Sequence, residues 1–363
     1  MAHIARLFLQ DFRNYAQSDI EAAAGLVVLA GDNGAGKTNI LEALSLFAPG
    51  RGLRGAPLVQ MARQGGSGGF ALSARLDAGD GGALIEMGTG ITAAATERRQ
   101  VRIGGAQATA NSLGEWLSLI WLTPAQDRLF TETASARRRF LDRLVLALEP
   151  THATHVSRYE AAMRARSRLL SEDTPADPQW LAALERHMAD HGAAAAAARR
   201  SLVRALDAAC AAGEATDFPR SSLRLAGDED MAAEAMADLL AKNRARDAAA
   251  GRATWGPHRV DLEVFHREKG QMAALCSTGE QKALLVGLIL AHGALVAKKK
   301  AKKPLFLLDE VAAHLDARRR EALFHLLSET GAQAWMTGTD RALFAGAPAA
   351  QFWAVDQGQI RPA

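Results

Sequence analysis

The 363-residue chain has little that would tie it together covalently or anchor it in a bilayer. Its two cysteines, Cys210 and Cys276, lie far apart and show no metal-ligand spacing. That excludes a disulfide scaffold and fits a reducing compartment. Aromatic residues make up only 6%, and none interleave with the basic clusters, so single-strand stacking is not expected. No stretch approaches the roughly 18 apolar residues of a membrane span. The opening MAHIARLFLQDFRNY alternates and carries charge, where a secretory signal would have an apolar run. The expectation is a cytoplasmic protein without a membrane partner. Net charge is only +3, so the global balance names no partner. Charge comes in local clusters instead: Arg137, Arg138 and Arg139; Arg164, Arg166 and Arg168; Arg199 and Arg200; Arg318, Arg319 and Arg320; and the lysines of KKKAKK at 298–303. Each reads first as a solvated helix face.

What is present is a 48% hydrophobic chain, long enough for two units with one interrupting the other. HIARLFLQDF (3–12) alternates like a half-buried strand, and GLVVLAG (25–31) is a short apolar run typical of a fully buried one. KTNILEALSLF (37–47) carries apolar residues at helical spacing. FALSARLD, ALIEMGTGI and RQVRIGG, between 70 and 105, read as an antiparallel meander, and SLIWLTP (118–124) as a buried strand ended by Pro124. From 134 to about 250 the texture changes to alanine, arginine, leucine and glutamate, which favours helix. Pro150, Pro175, Pro178 and Pro219 divide it into several helices. Strand texture returns at RVDLEVFHR (259–267), PLFLLDE (304–310), AQAWMTG (332–338) and AQFWAVD (350–356), with helices at 278–299 and 316–329. The pattern predicts an α/β head in two parts, 1–133 and 253–363, interrupted by a helical arm at 134–252.

GDNGAGKTN (31–39) fits G-x-x-x-x-G-K-[ST] in full, with strand before and helix after. Gly31, Gly34 and Gly36 let the backbone curl around Asp32, Asn33 and Ala35 so that N–H groups point inward at phosphate. The helix N-terminus, opening through Thr38 and Asn39, adds partial positive charge. Lys37 supplies a mobile point charge for the outer phosphates and Thr38 a hydroxyl for Mg²⁺. Asp309, at the end of FLLDE, is placed to hold Mg²⁺, and Glu310 to accept a proton from attacking water. ATP and Mg²⁺ are therefore the expected cofactors, with Lys37 and Glu310 as the expected catalytic groups. CSTGEQK (276–282) opens an apolar helix. Ser277 and Gly279 could bind a further phosphate there, or simply cap the helix. Gln126, after the strand ending at Pro124, is a candidate glutamine-loop ligand to the metal; a plain loop polar residue is the alternative.

Walker loop, serine-glycine segment and LLDEVAAHLD together resemble the ABC-type ATPases. The strings DFRNY (11–15), GRGLR (50–54), ARRRFLD (136–142) and GPHRVDL (256–262) narrow this. With them the chain resembles, over nearly its whole length, the RecF family of bacterial recombination and replication-repair ATPases, relatives of the SMC proteins. The resemblance implies a P-loop ATPase head with an inserted arm. It implies a homodimer closed by ATP, in which Ser277 and Gly279 of one copy reach the nucleotide of the other, with slow hydrolysis acting as a switch. It further implies binding to gapped, double-stranded or single-stranded-end DNA, support of RecA loading with RecO and RecR, and a part in the SOS response. Arg13 and Asn14 would by analogy lie near the nucleotide; Arg51 and Arg54 would stand behind it. His258 and Arg259 would anchor arm to head or cap a turn. For DNA phosphates the candidates are Arg137, Arg138, Arg139, Lys298, Lys299, Lys300, Lys302 and Lys303. Two features depart from the ABC pattern. The signature reads Cys276-Ser277-Thr278-Gly279-Glu280, and Thr339 stands where transporters place a switch histidine. A transporter ATPase subunit is the alternative, disfavoured by that threonine, by the arm and by GPHR. A nucleotide-dependent scaffold without turnover is a third reading.

Overall fold

Apolar runs with no polar alternation need cover on both faces, and alternating ones need it on one. The chain meets both demands with two large sheets. The computed structural model describes residues 2–79, 81, 83–172, 177–213 and 217–363, apart from the side chain of His314; the break expected at Pro175 lies outside them. The alternating strands His3–Phe12, Tyr15–Glu21, Phe70–Asp77, Ile85–Thr92, Ala95–Ile103 and Ala106–Ala108 form one antiparallel sheet of six. Its meander is joined to the N-terminal strand by pairing of His3–Phe12 with Phe70–Asp77. The continuous apolar runs form the other six-stranded sheet. In it Gln351–Asp356, Leu26–Ala30, Ala334–Gly338, Leu305–Leu308 and Leu119–Leu122 lie parallel in that order, and Gln359–Pro362 pairs antiparallel at one edge.

Helix Lys37–Ser45 sits within the core that includes residues of both sheets. It is buried nearly all round, through Ile40, Leu41, Ala43 and Leu44. Its buried polar members, Lys37, Glu42 and Ser45, each find a hydrogen-bond partner there, as interior polar groups require. Each buried Ile or Leu there contributes roughly 1.5–3 kcal/mol relative to exposure. Helix Thr278–Lys300 is likewise interior, with Leu284, Leu285, Leu288 and Ile289 buried. By length and composition it is apolar enough to cross a membrane, contrary to the expectation from sequence, but 67% of its most apolar window is buried inside the protein. The apolar face is met by protein.

The chain divides into two compact units. The first takes the chain up to Arg128, then Ala212–Arg220 and Cys276–Ala363; the second takes Leu129–Ala211 and Ser221–Leu275. The expected arm limits of 134 and 252 differ from this chiefly at the C-terminal end. Strand Asp261–His266, assigned from sequence to the head, pairs antiparallel with Ser221–Ala226 and with Gln271–Met272. Arg137 holds it from helix Ala134–Leu146 through both carboxylate oxygens of Asp261, at 2.8 and 2.6 Å. Strand Ser221–Ala226 was hidden in a segment read as all helix. The arm also contains a single helix of 35 residues, Pro178–Ala212, beside Ala134–Leu146, His152–Leu170, Ala233–Lys242 and Arg244–Ala250.

The arm has its own apolar core, including Tyr159, Ala162, Met188, Ala189, Met236 and Leu240. A charged knot lies beside it. Arg166, with no exposed surface, donates to Glu185 at 2.9 Å, to Asp247 at 2.7 Å and to the Leu240 carbonyl at 2.7 Å. Removing one member of such a knot leaves charge buried and unpaired. Arg166→Ala is expected to destabilise the arm by roughly 3–5 kcal/mol, read as a lower urea midpoint for arm unfolding in the full chain. A midpoint within error of the parent would show that Glu185 and Asp247 do not depend on it.

Candidate active site

Register brings the functional ends together. In the parallel sheet Gly338 lies beside Ala30, and Leu308 beside Met336 and Leu122, so the C-terminal ends of strands Leu26–Ala30, Ala334–Gly338 and Leu305–Leu308 share one edge. Ligands of parallel α/β sheets bind at such carboxyl ends. The glycine loop leaves the first of these strands, Thr337 belongs to the second, and Asp309 and Glu310 follow the third.

The loop has the backbone its glycines predict. At Gly36, φ is +116° and an added Cβ would lie 2.5 Å from Asn14 Nδ2 and 2.7 Å from the Tyr15 hydroxyl; at Gly31 it would lie 2.0 Å from the Val355 carbonyl oxygen. Side chains are therefore excluded by contact as well as by backbone. Among the described residues, the N–H groups of Gly34, Gly36, Lys37 and Thr38 have no protein acceptor. These donors at a helix N-terminus form an anion cradle. Asp32, Asn33 and Gly34 are exposed, while Ala35 and Lys37 are buried. Lys37 Nζ donates to the carbonyls of Gly31 (2.6 Å) and Asp32 (2.8 Å), folded over its own loop. Burial pushes its ammonium below the usual lysine range, against the pull of Glu310, Asp309 and Asp32.

Thr38 Oγ1 donates to the Asp309 carboxylate, 2.9 Å from Oδ1 and 3.1 Å from Oδ2. Two of the three residues expected to bind metal, 271 apart in sequence, thus touch. Thr337, which the sequence did not single out, completes the group. Its Oγ1 donates to Asp309 Oδ1 at 2.7 Å and accepts the N–H of Glu310 at 2.9 Å. Thr339, where the switch histidine was sought, is exposed. Glu310 itself has φ +52°, the left-handed region uncommon for a residue with a side chain. Burial raises the Asp309 carboxyl above the usual range, although the hydrogen bonds from Thr337 and Thr38 act in the opposite direction.

Gln126 does not join this group through any hydrogen bond. Its Oε1 accepts the Thr123 N–H at 3.0 Å in a local capping box, and its buried Nε2 has no partner. A metal role would require Oε1 to leave that cap. Ser277 caps helix Thr278–Lys300 in a capping box with Glu280, the Ser277 N–H lying 3.0 Å from Glu280 Oε2. Ser277 and Gly279 are both exposed, and a Cβ on Gly279 would meet nothing within 4 Å. Lys282, one turn further on, pairs with Asp127 at 3.0 Å.

DFRNY turns out to hold the loop from behind. Tyr15 OH donates to the Gly36 carbonyl (3.1 Å), and Asn14 Nδ2 to the Ala35 carbonyl (3.0 Å). Arg13 grips the fully buried Glu42 through Nε and Nη2, both at 2.7 Å, and Arg54 reaches the same carboxylate at 2.7 Å. Glu42 was missed. Its signal was an acid one residue after Leu41, on a helix otherwise read as apolar.

The basic candidates divide. Arg137 is committed to Asp261 and to the carbonyls of Phe130 and Glu132, which removes it from the cations available to a phosphate. Arg138 donates to the Val260 carbonyl and Arg139 to Ser135. Lys300 is half-buried on the Gly114 carbonyl at 2.9 Å, with its pKa lowered by burial. Lys302 lies over the Trp116 ring. Lys298, Lys299 and Lys303 are exposed.

A carboxyl group held where burial favours its protonated form stabilises the folded chain at low pH, while it carries its proton, and that contribution is lost as pH rises through the raised value. At neutral pH Asp309 without a cation is a net cost. Asp309→Asn is expected to raise Tm in magnesium-free, nucleotide-free buffer and to abolish magnesium-dependent tightening of ATP binding. A lower Tm in that buffer would contradict the burial argument.

A family model described as RecF/RecN/SMC N terminal domain matches residues 3–359. The chain is 52% identical over 373 residues to a DNA replication and repair protein RecF of Mesorhizobium japonicum, covering 99% of this chain and 98% of that one. It is 50% identical over 371 residues to a DNA replication and repair protein RecF of Brucella suis, covering 98% and 95%. A solved structure of the recombination mediator protein RecF-ATP in the RecFOR pathway shares the fold, with a TM-score of 0.84 at 19% identity over 100% of this chain and 98% of that one. An SMC head domain from Pyrococcus furiosus follows at a TM-score of 0.56 and 15% identity. With a family model spanning almost the whole chain and relatives half identical end to end, the chain belongs to the RecF family of DNA replication and repair proteins, within the RecF/RecN/SMC group.

Proposed function

We propose that this protein is an ATP-gated, DNA-binding switch of replication and recombinational repair, with hydrolysis slow enough to time release. One observation carries the nucleotide part: Thr38, Asp309, Thr337 and Glu310 form one hydrogen-bonded group at the sheet edge that also bears the glycine loop. ATP phosphates fit the free N–H groups of the loop, and Lys37 has only two carbonyls to exchange for them. Mg²⁺ fits the donors present, since Thr38 and Asp309 offer hard oxygens and such sites leave other positions to water and phosphate. When bound, the ion would supply positive charge to offset the negative charge that develops on the phosphate oxygens. Glu310, held by its backbone on Thr337, is the group to accept the proton of an attacking water.

The exposed Ser277–Gly279 helix start suits a phosphate brought by a second copy, which makes the closed state a twofold homodimer. DNA would meet exposed cations such as Lys298, Lys299 and Lys303 on both copies, so that assembly creates the DNA site. The relatives' names support a part in DNA replication and repair, and the RecFOR pathway of the solved RecF-ATP structure supports cooperation with RecO and RecR. Loading of RecA, a part in the SOS response and a cytoplasmic location belong to the same proposal through the family resemblance. The transporter alternative has no support from the relatives found.

Glu310→Gln is expected to accumulate a species of twice the monomer mass in ATP, measured by light scattering, because ATP is held while proton acceptance is lost. A monomer in ATP would overturn the dimer switch. Lys37→Ala is expected to lose ATP affinity and ATP-dependent DNA binding together, about 10-fold or more for each, since charge-assisted hydrogen bonds contribute roughly 1.5–3 kcal/mol. DNA binding that still responds to ATP in this variant would break the proposed link.

A further inference from the structure

The arm contains a recess of about 300 Å³ that the nucleotide chemistry leaves unused. It forms where ARRRFLD, the GPHR turn and helix Pro178–Ala212 meet, and its polar lining includes Ser135, Arg138, Arg139, Tyr159, Arg199 and His258. Their bonds sort them into a fixed wall and two uncommitted cations.

Arg199 belongs to the wall. It grips Asp142 with Nε and Nη2 at 2.7 and 2.9 Å and gives Nη1 to the Pro257 carbonyl at 2.7 Å. His258 donates Nε2–H to the Ala253 carbonyl (3.1 Å), so its Nδ1 accepts the Tyr159 hydroxyl at 2.7 Å. Burial pushes the His258 ring toward its neutral form. The acids at the rim are also engaged: Asp142 by Arg199 and His152, Glu160 by Arg164.

Arg138 and Arg139 have no carboxylate partner among the described residues. Arg138 bonds only the Val260 carbonyl, at 2.8 Å, and Arg139 only Ser135 Oγ, at 3.4 Å. Each guanidinium carries five N–H donors, so most of their capacity is left without a protein acceptor among the described residues, and both side chains line the recess. Burial first, then the neighbouring Arg199, lowers the Arg138 pKa, against the pull of Asp261 and Asp142, which already serve Arg137 and Arg199.

We propose that this recess binds a phosphoryl group of nucleic acid, held between the guanidiniums of Arg138 and Arg139. Two adjacent forks match the several oxygens of a phosphate better than a lysine cluster would. The volume leaves room for an attached sugar. Two charges suit the dianion of a terminal monoester; an internal diester would use the same donors with less charge. For its nucleic-acid source the inference rests on the DNA-binding reading above, but binding of inorganic phosphate does not.

The test uses the full chain with ATP and three duplexes: closed circular, linear with 5′-phosphate and linear with 5′-hydroxyl. Variants are R138Q/R139Q, the charge-keeping R138K/R139K, and R168Q as an exposed arginine elsewhere on the arm. The Gln pair is expected to bind about tenfold more weakly, with the log–log salt slope smaller by about 1, and the Lys pair to recover the slope. Loss confined to 5′-phosphorylated ends assigns a monoester; equal loss on all three assigns a diester. Unchanged affinity and slope on every duplex overturn the proposal, as does an equal loss in R168Q. In a parallel measurement with the glycine loop already filled by ATP, inorganic phosphate is expected to raise Tm of the parent further and not of R138Q/R139Q; equal shifts overturn the proposal. If the parent binds no DNA with ATP, the DNA reading fails while this phosphate measurement still decides the recess. Should the double variant melt early without ligand, R139Q alone, at the exposed arginine, replaces it.

Discussion

The contact on which the site depends is the one between the Thr38 hydroxyl and the Asp309 carboxylate. Neither residue can be moved alone. Thr38 is fixed by an interior helix and Asp309 by a buried strand, and the strand bearing Thr337 runs between that strand and the one feeding the loop. Thr337 bonds Asp309 with its hydroxyl hydrogen and takes the Glu310 N–H on its oxygen, so one side chain sets both the Asp309 carboxylate and the left-handed backbone of the next acid. Parallel strand pairing converts a separation of 271 residues into 2.9 Å.

Burial gives this group its chemistry and its cost. Lys37 is driven toward losing its proton and Asp309 toward gaining one, both because water is excluded. A trianionic or tetra-anionic ligand with a divalent cation would relieve both at once. Glu42 shows the other solution to the same problem. Fully buried on the loop helix, it is met by two arginines, Arg13 and Arg54, while Tyr15 and Asn14 brace the loop through the Gly36 and Ala35 carbonyls. Conformational freedom in the glycine loop is thereby confined to the face that needs it.

The arm follows the same rule with different residues. Its segment after 252 is drawn into the arm by strand pairing and by the Arg137–Asp261 bridge, and its helices are pinned by Arg166. Arginine clusters that read as solvated faces in one dimension therefore divide in three. Some members are internal fasteners, such as Arg137, Arg166 and Arg199. Others, Arg138 and Arg139, keep donors free. Sequence position does not separate the two kinds, because neighbouring residues on a helix point about 100° apart.

By itself the sequence determined the elements and the chemistry of the loop. Strand periodicity, the glycine-lysine-threonine spacing and the acidic strand end are local properties, fixed by backbone sterics and by the burial each run requires. It also carried the family, through strings spread over the whole chain. Only the tertiary structure decided that Thr337 rather than Thr339 touches Asp309, that Glu42 is the brace behind the loop, and that strand Ser221–Ala226 recruits Asp261–His266 to the arm. Each of these depends on which distant strand or side chain arrives within 3 Å, and that is set by sheet order and packing, which local sequence does not encode.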